Sequence, residues 1–307
     1  MRDPVGYVGV GNMGGAVATA LARSGPVVVY DRSPAAMAAC TGTTQASDLG
    51  DLSRRCQLLF LCLPTFDAVR SVLADGSALI RNAAPGTLIV DQSTSPPDES
   101  RRIAERLARN GLSLVDAPVS GGPQGVLEGT ALFTVGGTEV EFDRVASLLR
   151  PMSPNVLHTG PAGSAMVTKI ANNYVAAMQA AVSLQALAFA VRSGCDPEMT
   201  AQAFLLGSGS NHYIRKFMAS HVLTGNLGMA ATIEVMQKDV VLAIEAAQAV
   251  GLEWPGQGAL TTLIDRCVDR YGVGASYNAL ALILSDDAQV PLGRTRGATL
   301  SPPPEPA

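Results

Sequence analysis

The feature that most constrains this chain lies at its start, in "VGYVGVGNMGG". An apolar run of strand length meets Gly9, Gly11 and Gly14 in G-x-G-x-x-G spacing, and an apolar helix pattern follows at once. A chain that turns from a buried strand straight into a helix belongs to a β-α-β architecture. In this setting Gly9 permits the tight turn, Gly11 lets a pyrophosphate approach the backbone, and Gly14 lets helix and strand pack closely. The free N–H groups and positive end of the helix then face the phosphates. The alternative is a glycine turn that only packs; the strand-turn-helix context favours a dinucleotide.

The runs that follow agree with this. "VVVYD", "LLFLCLP", "LIVDQST", "LSLVDAPVS" and "ALFTVGG" are β-rich, of strand length, and bounded by Gly, Pro, Asp or Ser. Near-continuous apolar runs predict strands buried on both faces. Their alternation with helical segments predicts a doubly wound, mostly parallel sheet, an α/β Rossmann domain over residues 1–161. After Gly160 the pattern turns helical and rich in Ala. A first helix from Ala162 to Val191 would be about 45 Å long at 1.5 Å per residue, with Gly194 as its stop and Asp196–Pro197 as the cap and first position of the next. Further helices are expected near 198–206, 211–223, 229–250, 255–271 and 276–285. An all-α domain over 162–288 is therefore predicted, with the domain boundary near residue 162. The tail 289–307, ending "SPPPEPA", is predicted to be disordered.

At 307 residues the chain is long enough for two domains. A net charge of −4 argues against a nucleic-acid partner. The N-terminus shows no signal-peptide pattern, and the expectation is a cytoplasmic protein. The segment 162–191 could span a bilayer by length. Lys169, Asn172, Asn173, Gln179 and Gln185 interrupt it, so it reads as a buried core helix, with no membrane partner. The five cysteines form no C-x-x-C pair, and the three histidines show no ligand spacing, so no metal is expected.

Asp31 follows Gly11 by 20 residues and ends "VVVYD". A carboxylate there accepts hydrogen bonds from adenosine ribose hydroxyls, which favours NAD. The adjacent Arg32 could greet a 2′-phosphate, so NADP stays as the alternative. Leu63, Pro64, Ser93 and Thr94 sit at later strand ends, where such sheets bind ligands; ordinary turn chemistry would explain them equally well. Ser120, Gly121 and Gly122 in "DAPVSGGPQG" offer a hydroxyl and consecutive N–H groups, a nest for a carboxylate or simply a glycine turn.

Lys169 tilts that balance. It is the only Lys, Arg, Asp or Glu from Pro151 to Val191. Asn172 and Asn173 lie three and four residues on, so the three share a helix face. A lysine in apolar surroundings loses solvation of its charged form, and its pKa is expected to fall. That suits a general acid/base on a hydroxyl or carbonyl, and Asn173 could hydrogen-bond the same oxygen or hold the substrate. The alternative is a lysine snorkelling near the helix start. Lys238 reads by spacing as an i,i+4 surface partner of Glu234.

Together, "GVGNMG", "DAPVSGG", "GPAGSAMVTKIANN" and the pair Lys238–Asp239 resemble the β-hydroxyacid dehydrogenase family, which includes 3-hydroxyisobutyrate dehydrogenases and 2-hydroxy-3-oxopropionate reductases. The likeness spans roughly residues 5–285. It implies NAD(P)-dependent oxidation of a small hydroxy acid, or reduction of a semialdehyde, by a homodimer or homotetramer. It implies Lys169 as catalytic acid/base, Asn173 as substrate-orienting, and Ser120, Gly121, Gly122 and Asn172 around the substrate. Gly9, Gly11, Asn12, Met13 and Gly14 would form the cofactor loop, and Thr94 and Lys238 would lie at the nicotinamide end, against the surface reading of Lys238. Departures stand at Ala20, where the family often has Asn, at Gln185, where it commonly has Glu, and near "GVGASYN", where the usual acidic residues are absent and Ala275, Tyr277 and Asn278 stand in the region. "SGSNHYIRKF" is expected near the substrate, with Tyr213 or Arg215 as contacts or as surface packing. A related imine reductase and a non-catalytic oligomeric scaffold are the rival readings.

Overall fold

A computed structural model describes residues 3–228 and 231–293; the tail beyond lies outside the described residues. The chain divides into two compact units, one running through Lys169 and one beginning at Ile170.

The first unit is built on nine strands: β1 Val5–Val8, β2 Val27–Tyr30, β3 Thr44–Gln45, β4 Leu58–Leu61, β5 Leu88–Asp91, β6 Ser113–Asp116, β7 Val119–Ser120, β8 Leu132–Gly136 and β9 Val156–Gly160. Their order is β3-β2-β1-β4-β5-β6-β8-β7, with β9 also on β8. All neighbours from β3 to β6 are parallel, as the apolar runs require. The side-chain period of two is visible in the cores. Tyr7, Val29, Phe60 and Val90 enter one apolar cluster. Val8, Val28, Leu59, Leu61 and Ile89 enter another, on the opposite face. Helices α1 Asn12–Ala22, α2 Pro34–Ala39, α3 Leu49–Arg55, α4 Phe66–Val72, α5 Ala78–Asn82, α6 Pro97–Arg109, α7 Gly122–Glu128 and α8 Glu139–Leu149 connect the strands. The chain reverses its order between β1 and β4, so the carboxyl ends of these strands form the crevice where such sheets take ligands.

The run "LSLVDAPVS" differs from expectation. It forms two strands, not one: β6 is parallel to β5, whereas β7 is antiparallel to β8. Pro118 lies at the break and has no N–H for a ladder. The split turns Ser120 away from the line of β6 and into a new turn.

Helix α9, Ser164–Arg192, is the long helix expected, and it runs from the first unit into the second. It is long and apolar enough to cross a membrane by length and composition alone. Burial is confined to part of its circumference. Ala177, Ala180, Ala181, Leu184, Leu187 and Ala188 enter the second unit's core, while Val175, Val182 and Phe189 are exposed. The helix is apolar on all sides, so its sequence carries no stripe to show which face is inside.

The rest of the second unit is helical: α10 Pro197–Leu206, a π-helix Ile214–Val222, α11 Ile233–Ala249, α12 Gln257–Tyr271, a 3-10 turn Tyr277–Ala279 and α13 Leu280–Ala288. Asp196 caps α10 by accepting from the Met199 N–H, with Pro197 at the first position. Tyr213 is a core residue, 2% exposed, among the rings of Phe217 and Tyr277. Its hydroxyl donates to Asn278 Oδ1 at 3.3 Å. Arg215 is exposed and donates to Ser210 Oγ.

Candidate active site

In the first unit the three loop glycines have three separate reasons. Gly9 has φ +84°, and a Cβ on it would meet Cys62 O at 2.4 Å. A Cβ on Gly14 would lie 2.0 Å from Gly9 O, so helix and strand touch there. Gly11 has an ordinary φ of −64°, and among the described residues no atom beyond its chain neighbours lies within 4 Å of where its Cβ would be. Backbone is thus exposed where a pyrophosphate would approach. Asn12 and Met13 open α1, with no acidic residue in the first turn to oppose an anion.

Asp31 sits just beyond β2. One carboxylate oxygen accepts from Val10 N–H at 2.8 Å and the other from Ser33 N–H at 2.9 Å. The carboxylate therefore ties the second strand end to the glycine loop. Each oxygen keeps a lone pair for a ribose hydroxyl. Arg32 is exposed beside it.

The loops after β4 and β5 are tied to one another. Leu63 N–H donates to Ser93 Oγ at 2.9 Å. Ser93 N–H donates to Asp91 Oδ1, and Ser95 Oγ to Asp91 Oδ2. Ser93 is buried and acts as a bracket, while Thr94 beside it and Leu63 are half-buried and Pro64 is exposed. Burial pushes the Asp91 carboxyl up to about 6, against the pull of its serine partners.

Past β7, Ser120 leads into Gly121 at φ +109° and Gly122 at φ +69°. Lys169 Nζ donates to Val119 O and to Ser120 Oγ, each at 3.0 Å. The lysine is half-buried and its head group lies on the turn, so it does not snorkel into water. Lys169 and Ser120 are 49 positions apart in the sequence; the fold brings them into contact.

In the second unit Asn173 Nδ2 donates to Asp239 Oδ2 at 2.6 Å, and Asn172 Nδ2 to Asn173 Oδ1 at 3.3 Å. Asp239 is 5% exposed, and Lys238 Nζ lies 3.2 Å from its other oxygen. Among the described residues Lys238 pairs with Asp239, not with Glu234. The carboxylate fixes which way the Asn173 amide points and leaves its second N–H to reach a ligand oxygen. Asp239 and Asp116 were not singled out by spacing as site residues, because their partners lie 66 and about 50 residues away. Asp116 lies in "DAPVSGG" and Asp239 in the Lys238–Asp239 pair.

The glycine loop, the open face at Gly11 and the Asp31 carboxylate fit a dinucleotide. Comparisons with known proteins agree. Residues 4–160 match the NAD binding domain of 6-phosphogluconate dehydrogenase, and residues 163–284 match the NAD-binding domain of NADP-dependent 3-hydroxyisobutyrate dehydrogenase. A 3-hydroxyisobutyrate dehydrogenase of Pseudomonas aeruginosa is 32% identical over 82% of this chain and 87% of its own length. A 2-hydroxy-3-oxopropionate reductase of Escherichia coli is 29% identical over 91% of this chain and 96% of its own. In three dimensions the fold is shared with Mycobacterium tuberculosis 3-hydroxyisobutyrate dehydrogenase determined with L-serine, at TM-score 0.83 and 24% identity, over 92% of this chain and 99% of that one. A Rossmann unit with this glycine loop, followed by a helical unit that the same family's model matches, leads to one assignment: the chain belongs to the β-hydroxyacid dehydrogenase family and is an NAD(P)-dependent oxidoreductase.

Proposed function

We propose that this enzyme oxidises a small β-hydroxy acid of the 3-hydroxyisobutyrate type, with NAD preferred over NADP and Lys169 as general acid/base. The observation that carries the reading is the pair of 3.0 Å contacts from Lys169 Nζ to Val119 O and Ser120 Oγ. They aim an amine at a turn of two glycines whose N–H groups suit a carboxylate.

The bound nicotinamide supplies the hydride acceptor. The protein's part is to bind, orient and move a proton. Ser120 and the N–H groups of Gly121 and Gly122 take the substrate carboxylate. Lys169, as neutral amine, takes the proton of the substrate hydroxyl; in the reverse direction the ammonium returns it to a semialdehyde oxygen. Asn173, held by Asp239, orients the same oxygen, and Asn172 braces Asn173. Thr94 borders the nicotinamide end, and Leu63 and Pro64 line its approach; the family resemblance implies a cofactor role for Lys238. Asp31 accepts from the adenosine ribose hydroxyls, and its charge repels a 2′-phosphate, which supports the preference for NAD.

An absorbance assay with NAD and NADP across 3-hydroxyisobutyrate, glycerate, serine, threonate and 3-hydroxypropionate tests the reading. Turnover is expected with at least one acid and faster with NAD. Lys169→Ala should lower kcat by about 10²- to 10⁴-fold while cofactor affinity is kept. Near-normal turnover in that variant would refute the lysine's role, and activity confined to NADP would refute the reading of Asp31.

A further inference from the structure

The segment that carries Ser120 grips helix α9 twice. One grip is Lys169 itself. The other is Asp116, the last residue of β6. Its side chain is 2% exposed. One carboxylate oxygen accepts from Gly163 N–H at 2.7 Å and the other from Met166 N–H at 2.8 Å. These amides belong to the start of α9, where backbone N–H groups have no partner inside the helix. A carboxylate is the favoured group there, because it meets both the free donors and the positive end of the helix. Burial raises the carboxyl's pKa, and the backbone N–H groups oppose that rise.

The surroundings leave Asp116 little freedom. Gly136 is its register partner on β8, and a Cβ there would sit 2.5 Å from Asp116 Oδ1. Gly163 holds φ +86°, and a Cβ on it would meet the Arg101 side chain at 2.8 Å. Two glycines thus let the strand end, the carboxylate and the helix start close on one another. Asp116 precedes Ser120 by four residues, and Met166 precedes Lys169 by three. The two grips therefore stand about one turn apart along the start of α9.

We propose that Asp116 is a positioning residue: by clamping the first turn of α9 to the end of β6, it sets the rotation and height at which Lys169 Nζ meets Ser120. This rests on the reading of Lys169 as acid/base. Without the clamp the helix keeps its hydrogen bonds beyond the first turn, but nothing holds its start against the strand end. The amine then drifts from the oxygen it serves.

Asp116→Asn tests the clamp. The amide is isosteric, yet it turns a donor toward one of the two N–H groups and leaves that pair unmade. Asp116→Ser is the second variant; its shorter side chain keeps one hydroxyl acceptor and turns no amide donor toward either N–H group. Both are compared with the parent for kcat, KM, the pH dependence of kcat/KM, melting temperature and NADH affinity by fluorescence. A displacement near 1 Å lowers turnover by about a hundredfold, so kcat should fall about ten- to a hundredfold, with Asp116→Ser the milder. The acidic limb of the pH profile should move, while NADH affinity stays within about twofold. A variant that melts earlier but keeps the parental kcat and pH profile overturns the clamp, since a merely stabilising cap would behave that way. Lys169→Ala is run alongside. If it retains turnover, the lysine reading fails and the clamp with it. If it is inactive while Asp116→Asn turns over normally, the clamp alone fails.

Discussion

The two glycine turns of the first unit look alike in sequence and are built differently. In the loop after β1, Gly14 is enclosed, with Gly9 O 2.0 Å from where its Cβ would be, and Gly11 faces open space in an ordinary backbone conformation. In the turn after β7, Gly121 at φ +109° would set a Cβ 3.3 Å from the Ala131 backbone, and Gly122 faces open space at φ +69°. The first turn therefore needs glycine at Gly11 only for room. The second needs it at Gly122 for conformation, since an L side chain is strained there. One turn offers a surface by lacking a side chain; the other offers donors by its backbone angles.

The widest separation comes from Gly14→Ala. Its methyl cannot fit unless α1 moves away from β1, because the obstacle is backbone and not a flexible side chain. The loss should exceed about 4 kcal/mol, the range of the most damaging single substitutions. Thermal melting and soluble yield report it. A variant with parental melting would mean that the helix and strand do not touch as described.

Gly11→Ala and Gly122→Ala sharpen the contrast. Alanine at 11 meets no protein atom and should leave stability within about 1 kcal/mol. It places a methyl where the pyrophosphate approaches, so NADH should bind at least about tenfold more weakly, or about 1.4 kcal/mol. Alanine at 122 should destabilise by about 1–2 kcal/mol through its left-handed backbone and raise KM for the hydroxy acid, with NADH affinity unchanged. Titration of NADH and of substrate against both variants distinguishes them. Weakened NADH binding in both would show that the turns do not serve separate ligands.

Local pattern foretold what local physics decides. The apolar runs from "VGYVGV" to "LIVDQST" became parallel strands, and the glycine spacing marked the loop, because a turn's needs are written within a few residues. Where tertiary contacts decide, pattern failed. Val156–Gly160 escaped notice as a strand because it mixes Leu157, 54% exposed, and His158 with small residues and shows no clean alternation. The helix expected over 211–223 is a π-helix over Ile214–Val222, a choice of hydrogen bond that side-chain spacing does not encode. Tyr213 reads equally as a substrate contact or as surface packing, and its ring instead fills the second unit's core. Lys169 stood out by being alone in an apolar segment. The carboxylates that hold the helices, Asp116 and Asp239, gave no such sign, since each acts on residues far away in the chain.

The smallest effect concerns Asp91, the bracket beneath the Leu63–Ser93 contact. Burial raises its carboxyl from 3.8 to about 6. In the unfolded chain it ionises near its ordinary value, so between about pH 4 and pH 6 the folded protein holds the extra proton. This group's contribution therefore falls as pH rises through that window and is at its least favourable above pH 6. The whole displacement corresponds to about 3 kcal/mol at most. Asp91→Asn keeps an acceptor for Ser93 N–H, can donate to Ser95 Oγ, and has no charge to bury. It should therefore be more stable than the parent at pH 7.5 by about 1 kcal/mol, with the advantage shrinking toward pH 5. Denaturant titrations at the two pH values measure the difference. A gain equal at both would mean that the carboxyl titrates outside this window. A loss at pH 7.5 would mean that its charge holds the Ser93 bracket more strongly than burial opposes it.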